Sequence, residues 1–254
     1  MIDPRDAGDR AFGLAEDYPV METPWHAHDR PQLLYARSGC LRLRTARDLA
    51  LLPPLRAAWI PGGLSHQVTA GRPAALRTVY FPPEEDDDAP AVVVFDAPPL
   101  LRELVATSCA WGLAPPDPAL AQALHGLLRR LLDDWRTPAP GSRLPAPASP
   151  ALQEALDWVF ARLAFPVGLE DAARVAGWSH RTFQRRCREE LGVPFSAWLA
   201  QARVLRATEL LADPSLSVGE VANGCGFASQ GAFSRSFAAR TGLSPLAWRR
   251  AYHA

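Results

Sequence analysis

Short apolar runs separated by turn residues dominate the first 95 residues. The runs lie at 32–35, 41–45, 57–60 and 76–81, and Gly or Pro residues stand between them. Short strands punctuated in this way are typical of a β-sandwich or β-barrel. The pattern therefore predicts a strand-rich N-terminal half from about residue 12 to residue 95. The acidic run at 84–88 within it is predicted to be a solvated loop.

Apolar positions recur at helical spacing further along the chain. Residues 99–110 predict one helix and residues 119–135 a second. The second carries an apolar stripe made of Leu120, Leu124, Leu127, Leu128, Leu131 and Trp135. This stripe either packs on the barrel or forms a dimer interface, and the sequence leaves both interpretations open. A third helix is predicted at 152–163, with an inward face of Leu152, Leu156, Val159 and Leu163.

A proline-rich segment divides the chain. Residues 137–150 contain five prolines together with Ala, Gly and Ser. Such a segment holds neither a helix nor a central strand, so it is predicted to be a semi-extended linker. It separates a domain at 1–136 from a domain at 151–254.

The C-terminal domain contains an internal repeat. Residues 169–198 align with residues 218–248, and each copy has a short apolar helix, a Gly-aromatic turn, a Ser and an Arg-bearing second helix. This layout predicts two helix-turn-helix units, at about 168–192 and 217–242. Ser179 and Ser229 are predicted to cap the second helices, and Gly192 and Gly242 to end them. A long helix at about 195–211 joins the units, and the predicted core residues are Phe183, Cys187, Trp198, Phe233, Phe237 and Trp248.

Two recognition helices in one chain predict a protein that reads double-stranded DNA. The formal net charge is zero and there is no Lys, but the charge is unevenly distributed. From residue 151 onward, 12 Arg stand against 9 acidic residues, whereas 15 Arg stand against 18 before it. The positive excess thus lies where phosphate contacts are needed.

Four Cys without a CxxC pair predict no disulfide framework and no zinc knuckle. No signal peptide or membrane span is predicted either, so we expect a cytoplasmic protein.

The C-terminal domain resembles the AraC/XylS family of bacterial transcription regulators from about residue 152 to 253. Its most specific stretch is 226–249, GFASQGAFSRSFAARTGLSPLAWR, which has Gly-Phe, a Ser, the pattern F-x-R-x-F, a Gly, and a Pro before an aromatic residue. The upstream half resembles the cupin-type effector domain of such regulators. The resemblance implies an α+β two-domain fold, with a cupin-like β-barrel and two helices followed by an all-α double helix-turn-helix bundle.

The resemblance also implies which side chains meet DNA in two successive major grooves. In the first groove these are Ser179, His180, Arg181, Gln184, Arg185 and Arg188. In the second they are Ser229, Gln230, Gly231, Ala232, Ser234 and Arg235. Gln184 suits adenine and Arg185 suits guanine, although an i,i+4 pair with Glu189 is the alternative role for Arg185. Because Gly231 and Ala232 offer few hydrogen bonds, we expect the first helix to read more sequence.

Three histidines in the N-terminal half are spaced as in the two cupin motifs. His26 and His28 are followed by Gln32 and Gly39, and the stretch from Pro61 ends in His66. In cupins such residues converge on a divalent metal, but here Gln32 replaces the acidic ligand. Three alternatives stay open: zinc or nickel binding, a metal-free small-molecule pocket, and a structural role. The aromatic residues Trp25, Tyr35, Trp59 and Tyr80 either line a pocket or fill the core.

The leading prediction is an effector-responsive, sequence-specific transcription regulator rather than an enzyme. A homodimer would present four helix-turn-helix units to promoter DNA, and RNA polymerase is a further expected partner. One alternative is a metal-dependent cupin enzyme with an accessory DNA-binding domain. Another is an architectural protein that binds DNA without sequence preference, which the affinity ratio between a specific site and random DNA would distinguish.

Overall fold

The structure, a computed structural model, describes residues 8–53, 56–83 and 91–253. Contacts divide the chain into two compact units, which are described separately. The first contains residues up to 43 together with 52–139, and the second contains residues 44–51 together with those from 140 onward. The loop predicted at 84–88 lies outside the described residues.

The strands of the described residues are β1 (Phe12–Tyr18), β2 (Met21–Glu22), β3 (Gln32–Ser38), β4 (Leu41–Thr45), β5 (Asp48–Leu52), β6 (Arg56–Ile60), β7 (His66–Ala70), β8 (Ala74–Tyr80), β9 (Val93–Asp96) and β10 (Arg143–Pro145). The helices are α1 (Pro99–Trp111), α2 (Pro118–Trp135), α3 (Pro150–Ala161), α4 (Leu169–Val175), α5 (His180–Leu191), α6 (Phe195–Leu211), α7 (Val218–Gly224), α8 (Gln230–Thr241) and α9 (Pro245–His253).

The first unit is built on antiparallel strands with two helices packed against them. One sheet has the order β1-β8-β3-β6-β9, and β4, β7 and β2 lie side by side in a second sheet. Leu33, Trp59 and Phe95 of the first sheet are fully buried with Leu101 of α1 and Leu128 of α2. The predicted cupin-like half with two helices is therefore confirmed, and its core seals the sheet against the α1–α2 pair.

The apolar stripe of α2 divides into two faces. Leu128 and Leu132 are fully buried against the sheet, and Ala121 and His125 lie on the same side. Leu120 and Leu127, in contrast, are about half exposed, at 52% and 49%. The stripe is therefore divided: Leu128 and Trp135 pack in the core of the first unit, whereas Leu120 and Leu127 point away from it.

The second unit is a helical bundle around α6. Predicted bounds for this helix match the structure, and Val204, Ala207 and Leu211 on it are buried with Phe233 and Trp248 of the second repeat. In the first repeat, Phe183 packs edge-on against Phe195, which stacks on Trp198. The predicted core residues, including Cys187, are all buried: Phe183, Cys187, Trp198, Phe233, Phe237 and Trp248.

Local chemistry defines the ends of the helices as predicted. Ser179 Oγ accepts a hydrogen bond from the Thr182 N–H at 3.2 Å, and Ser229 Oγ accepts one from Ala232 at 3.2 Å. These bonds satisfy N–H groups that lack an intrahelical partner. Gly192 and Gly242 end α5 and α8 in the left-handed conformation, at φ 73° and 78°. The duplicated scaffold is therefore real at the level of caps and turns.

The proline-rich segment is more ordered than the sequence predicts. Leu144 at the centre of β10 is paired antiparallel with Leu49 of β5. Trp198 Nε1 donates to the Pro145 carbonyl at 3.3 Å, and Gln201 Nε2 donates to the Gly141 carbonyl at 2.8 Å. Within the second unit, this part of the predicted linker is therefore held by backbone pairing and by side chains of α6.

Candidate nucleic-acid interface and histidine cluster

Helix α5 has one buried face and one cationic face. Phe183, Cys187 and Leu191 anchor it in the core at helical spacing. The opposite side exposes His180, Arg181, Arg185 and Arg188, and Gln184 is half-buried beside them. The structure therefore places His180, Arg181, Arg185 and Arg188 on the exposed side of the helix.

Acidic partners already hold part of this cationic face. Arg185 Nη1 donates to both carboxylate oxygens of Glu189, at 2.8 and 2.9 Å. The Arg185 side chain is 55% exposed, so this pair is a surface ion pair that contributes little stability. Among the described residues, Arg181 and Arg188 form no ion pair. Their charges are therefore available to phosphate, whereas that of Arg185 is shared until a stronger acceptor replaces Glu189.

Glu190 of α5 has a structural task that the sequence does not reveal. It accepts hydrogen bonds from the N–H and the hydroxyl of Ser149, at 2.8 and 2.9 Å. Ser149 immediately precedes α3, so this carboxylate joins the start of α3 to α5. The Ser-Pro dipeptide at 149–150 is the sequence signal for the helix start, but nothing in the spacing indicates the acidic partner.

Helix α8 presents a smaller polar surface. Phe233 and Phe237 are buried, and Gln230, Gly231 and Arg235 are exposed. Ala232 and Ser234 are half-buried. A side chain added at Gly231 would lie 3.6 Å from Arg235 Nη1, so the arginine lies over the glycine. The exposed face of α8 therefore offers fewer hydrogen-bonding groups than that of α5.

Three histidines of the first unit form a compact cluster. One ligand atom from each of His26, His28 and His66 lies within 4.8 Å of the other two. Reciprocal backbone hydrogen bonds of 3.1 and 2.9 Å join His26 to His66, which fixes the relation of the β2–β3 connection to β7. The structure therefore brings together the three histidines that the motif spacing selects.

The ring orientations direct one nitrogen of each imidazole into the cluster. Nδ1 of His26, His28 and His66 lies 2.9, 2.7 and 2.8 Å from a backbone carbonyl oxygen. A carbonyl accepts only, so each Nδ1 carries the hydrogen, and each Nε2 keeps a lone pair. Backbone carbonyls that accept from one ring nitrogen orient metal-binding histidines in the same way. Nε2 of His66 is buried and has no hydrogen-bond partner among the described residues.

Burial keeps two of the three imidazoles neutral. Desolvation lowers the pKa of His66 to about 4, and desolvation also lowers the pKa of His28. Both imidazoles are therefore unprotonated at neutral pH, and a metal ion requires that form.

Gln32 makes an unfavourable acceptor–acceptor contact beside this cluster. Its Nε2 donates to Thr78 Oγ1 at 2.9 Å, and the Thr78 hydroxyl in turn donates to the Leu33 carbonyl. Because that hydroxyl has a single hydrogen, it can only accept from Gln32, which fixes the amide orientation. Gln32 Oε1 consequently faces His28 Nε2 at 3.3 Å, and both atoms are acceptors. A cation or a water donor between them would remove this conflict.

Thr78 and Tyr80 orient Gln32, but the sequence does not single out Thr78 and indicates Tyr80 only as a candidate to line a pocket or fill the core. The amide also reaches Tyr80 Oη, at 3.2 Å, and the two hydroxyls are 46 and 48 residues from Gln32 in sequence. No local pattern joins positions so far apart, and only the pairing of β3 with β8 brings them together. Of the predicted aromatics, Tyr35 and Trp59 are core residues, Tyr80 is half-buried, and Trp25 is exposed, so core filling is wrong for Trp25.

The paired helix-turn-helix units and the strand-rich unit are those of a two-domain, DNA-binding transcription regulator. Residues 172–251 match the family described as helix-turn-helix domain, and residues 11–139 match the AraC-like ligand binding domain. The chain belongs to the AraC family of regulators.

Relatives agree with this assignment. The chain is similar to the HTH-type transcriptional regulator NimR of Escherichia coli (strain K12), at 26% identity over 245 residues, which cover 92% of this chain and 85% of NimR. The putative regulator YkgA of the same strain is 34% identical over 98 residues, 39% of this chain and 41% of that protein. Among solved structures, the DNA-binding domain of AdpA in complex with a target DNA is 40% identical and covers 41% of this chain and 95% of its own, with a TM-score of 0.40.

Within the described part of the chain, no helix has the length and apolar character that crossing a bilayer requires.

Proposed function

We propose that the chain reads promoter DNA asymmetrically, with α5 supplying most of the sequence specificity and α8 mainly docking. The unequal exposed faces of the two helices support this division. Helix α5 exposes four arginines and a histidine, with Gln184 half-buried beside them, whereas α8 exposes Gln230 and Arg235 around the bare Gly231. Contacts to base edges carry sequence information, whereas phosphate contacts carry none. Because α5 has more polar groups that can contact base edges, we expect it to dominate specificity.

Helix α6 supports the placement of both units on one duplex. It runs for 17 residues, which corresponds to about 25 Å. Successive major-groove openings on one face of B-DNA are about 34 Å apart. The units packed at its two ends extend the distance between α5 and α8, so we place these helices in successive grooves.

Replacement of Arg185 by alanine is expected to weaken specific operator binding by about 1–3 kcal/mol, as for loss of one bidentate contact to guanine. Glu189 competes for the same guanidinium, so the free protein loses little stability. Genome-wide mapping of bound sites first supplies the operator, and gel-shift titrations then compare it with scrambled DNA at one salt concentration. Arg235→Ala is the matched control and should weaken both DNAs more evenly. Equal losses on both DNAs for Arg185→Ala would contradict base reading by this residue.

The same titrations address the architectural alternative. A specific regulator binds its site on the order of 10³-fold or more tighter than random DNA at fixed salt. A ratio near one would favour an architectural protein.

We propose a cytoplasmic location, where promoter DNA is accessible, and RNA polymerase as a further partner.

We propose that the leucine side of α2 forms a homodimer interface. Leu120 and Leu127 are half exposed, and Leu124 and Leu131 lie on the same side of the helix. Four leucines at helical spacing form the kind of apolar stripe that pairs with a second helix. A dimer would carry four helix-turn-helix units.

Leu127→Glu is expected to shift the dimer toward monomer by at least about tenfold in dissociation constant, because it places a charge in the buried stripe. Sedimentation velocity over a concentration series measures the change. Gln122→Glu adds the same charge on the opposite side of α2 and should leave the assembly intact. Identical sedimentation of both variants and the parent chain would rule out this interface.

We also propose that His26, His28 and His66 hold a zinc or nickel ion in the strand-rich unit, with Gln32 beside it. The buried, unpartnered Nε2 of His66 and the acceptor conflict at Gln32 support this site. Imidazole ligands suit either metal. The known relatives are transcription regulators, and we propose that the ion has a structural or sensory role and that the chain is not an enzyme.

His66→Gln is expected to weaken zinc or nickel binding by more than about 100-fold, because changes in outer-shell partners alone cost about 10–100-fold. Isothermal titration with each metal, together with metal analysis of the purified chain, measures affinity and stoichiometry. His180→Gln removes an exposed imidazole from α5 and serves as the control. Unchanged binding in the His66 variant would show that the ion binds elsewhere, and turnover by the metal-loaded chain would favour the enzyme alternative.

A further inference from the structure

A second candidate site lies beside α1 and α2, apart from the histidine cluster. It is a cavity of about 560 Å³, which falls within the usual size range of small-molecule pockets. Its walls come from β1, the segment after β8, the end of α1 and one side of α2. His26, His28 and His66 do not line it, so a ligand here would be independent of the proposed metal.

The walls are mainly apolar and aromatic. Phe12, Phe81 and Trp111 line the cavity together with Leu113 and Pro115. Phe12 also stacks on Tyr80, with ring centroids 5.3 Å apart, which holds its ring in place. Aromatic walls of this kind favour a flat ring that makes stacked or edge-on contacts.

A buried polar pair forms part of the wall. His125 of α2 lines the cavity and is 9% exposed, and its Nε2 lies 2.7 Å from the hydroxyl of Ser108 on α1. Burial lowers the pKa of His125, so its ring is neutral at neutral pH. The pair joins the two helices at the cavity, and a ligand there would contact groups on both helices.

A glycine lines the cavity at an exposed position of α2. Gly126 lines it from the middle of α2, where glycine is less favourable than any other residue except proline. A Cβ atom at this position would meet nothing within 4 Å. Helix stability therefore favours a larger residue here and packing permits one, yet the chain has the residue that leaves the space empty.

The charged lining favours an anion. Arg10 and Arg129 line the cavity against one acidic residue, Asp9, which leaves one net positive charge. Arg129 Nη1 is 3.2 Å from Asp133, and its guanidinium lies 5.1 Å above the Trp59 ring, so it is held at this wall. A guanidinium has five N–H donors and can bind a second acid beside Asp133.

We infer that this cavity binds a small aromatic molecule that carries one acidic group, with its ring between Phe12, Phe81 and Trp111 and its acid toward Arg10 and Arg129. The cavity residues Ala119, Gln122, Gly126 and Arg129 recur on one side of α2, and the proposed dimer leucines lie on the other. A ligand that orders this helix could therefore act as an effector. Only this last step depends on the proposed function, because binding itself involves neither DNA nor the dimer.

Fluorescence titration of the full chain with 8-anilinonaphthalene-1-sulfonate tests the site, with its neutral counterpart N-phenyl-1-naphthylamine as the matched probe. Gly126→Leu should lower the affinity for both probes by more than about tenfold, because it fills the cavity. Gly126→Ala leaves most of the space and should stay within about threefold of the parent chain. Arg129→Gln should lower the affinity for the sulfonate about tenfold and leave the neutral probe unchanged, whereas Arg130→Gln, outside the lining, should affect neither.

The probe also stains loosely folded chains, so each variant must first show the cooperative thermal unfolding of the parent. If Gly126→Leu does not fold, Ala119→Phe fills the same cavity from the exposed first turn of α2. Equal probe binding in the parent and in a folded, cavity-filled variant would overturn the inference, and so would no binding by the parent chain. Equal losses of both probes in Arg129→Gln would overturn the acidic-group assignment. DNA titrations without probe report separately on the proposed function.

Discussion

Gly226→Ala is expected to lower the free energy of unfolding by about 3 kcal/mol or more. Gly226 has a φ of 71°, and a Cβ atom there would lie 2.2 Å from the carbonyl oxygen of Leu163. The left-handed conformation alone costs a residue with a side chain about 1–2 kcal/mol. The contact adds to this cost, because it involves backbone and no side-chain rotation can relieve it.

The first repeat supplies the matched control. Gly177 occupies the equivalent turn with a φ of 68°, but a Cβ atom there would meet nothing within 4 Å. Gly177→Ala should therefore cost only the conformational term of about 1–2 kcal/mol. Urea unfolding of the full chain, followed by far-ultraviolet circular dichroism, compares the two variants. Equal destabilisation would mean that the approach of the second turn to Leu163 does not constrain the fold.

This close approach also bears on DNA reading. Leu163 follows α3 and Gly226 precedes α8, so the contact fixes the second turn against the first half of the bundle. A shift at Gly226 would move α8 relative to α5 and misalign the two units that we propose to enter successive grooves. We therefore expect Gly226→Ala to weaken operator binding even under conditions in which the variant is fully folded, whereas Gly177→Ala moves no backbone in contact with it.

Local patterns predicted the C-terminal half well. The bounds of α6, the Ser caps and the terminal glycines depend on spacing within one turn of helix, which is visible in the sequence. The same applies to the buried phenylalanines, because their spacing follows helical periodicity. The asymmetry between Gly177 and Gly226 was not predictable, since it depends on a carbonyl of a distant residue.

Non-local contacts account for what the sequence did not predict. Periodicity identified α2 but not which of its two adjacent leucine faces meets the sheet, because the apolar stripe is wider than one face. Composition marked residues 137–150 as a linker but could not reveal the pairing of Leu144 with Leu49. The cavity beside α2 had one sequence signal, a glycine in the middle of a helix, and a glycine alone does not identify a pocket.

The histidine cluster lies between these cases. Motif spacing selected His26, His28 and His66, and the fold brings them together. The acceptor conflict at Gln32 depends on Thr78 and so was invisible in the sequence. The conflict means that restoring a carboxylate at position 32 should change both the stability of the chain and its affinity for metal.

Gln32→Glu is expected to destabilise the metal-free chain by about 2 kcal/mol. Gln32 is 4% exposed, and its amide donates to Thr78, whose only hydroxyl hydrogen bonds to Leu33. A carboxylate cannot donate to Thr78, so two acceptors would face each other there. Burial raises the pKa of Tyr80 to about 12, so its phenol stays protonated and offsets part of the cost by donating to the new carboxylate.

Zinc or nickel should reverse this loss. The carboxylate would add a negative ligand beside His28, and we expect metal affinity to rise by about 10–100-fold. At a free metal concentration of about 100 times the dissociation constant, binding contributes about 2.7 kcal/mol of stability, which is enough to restore the variant. Thermal unfolding with and without metal measures the loss of stability and its reversal. Gln122→Glu, at an exposed position of α2, controls for the added charge. A metal-free loss that zinc and nickel leave unchanged would mean that Gln32 does not face a cation site, and the histidines would then be explained by their hydrogen bonds to backbone carbonyls alone.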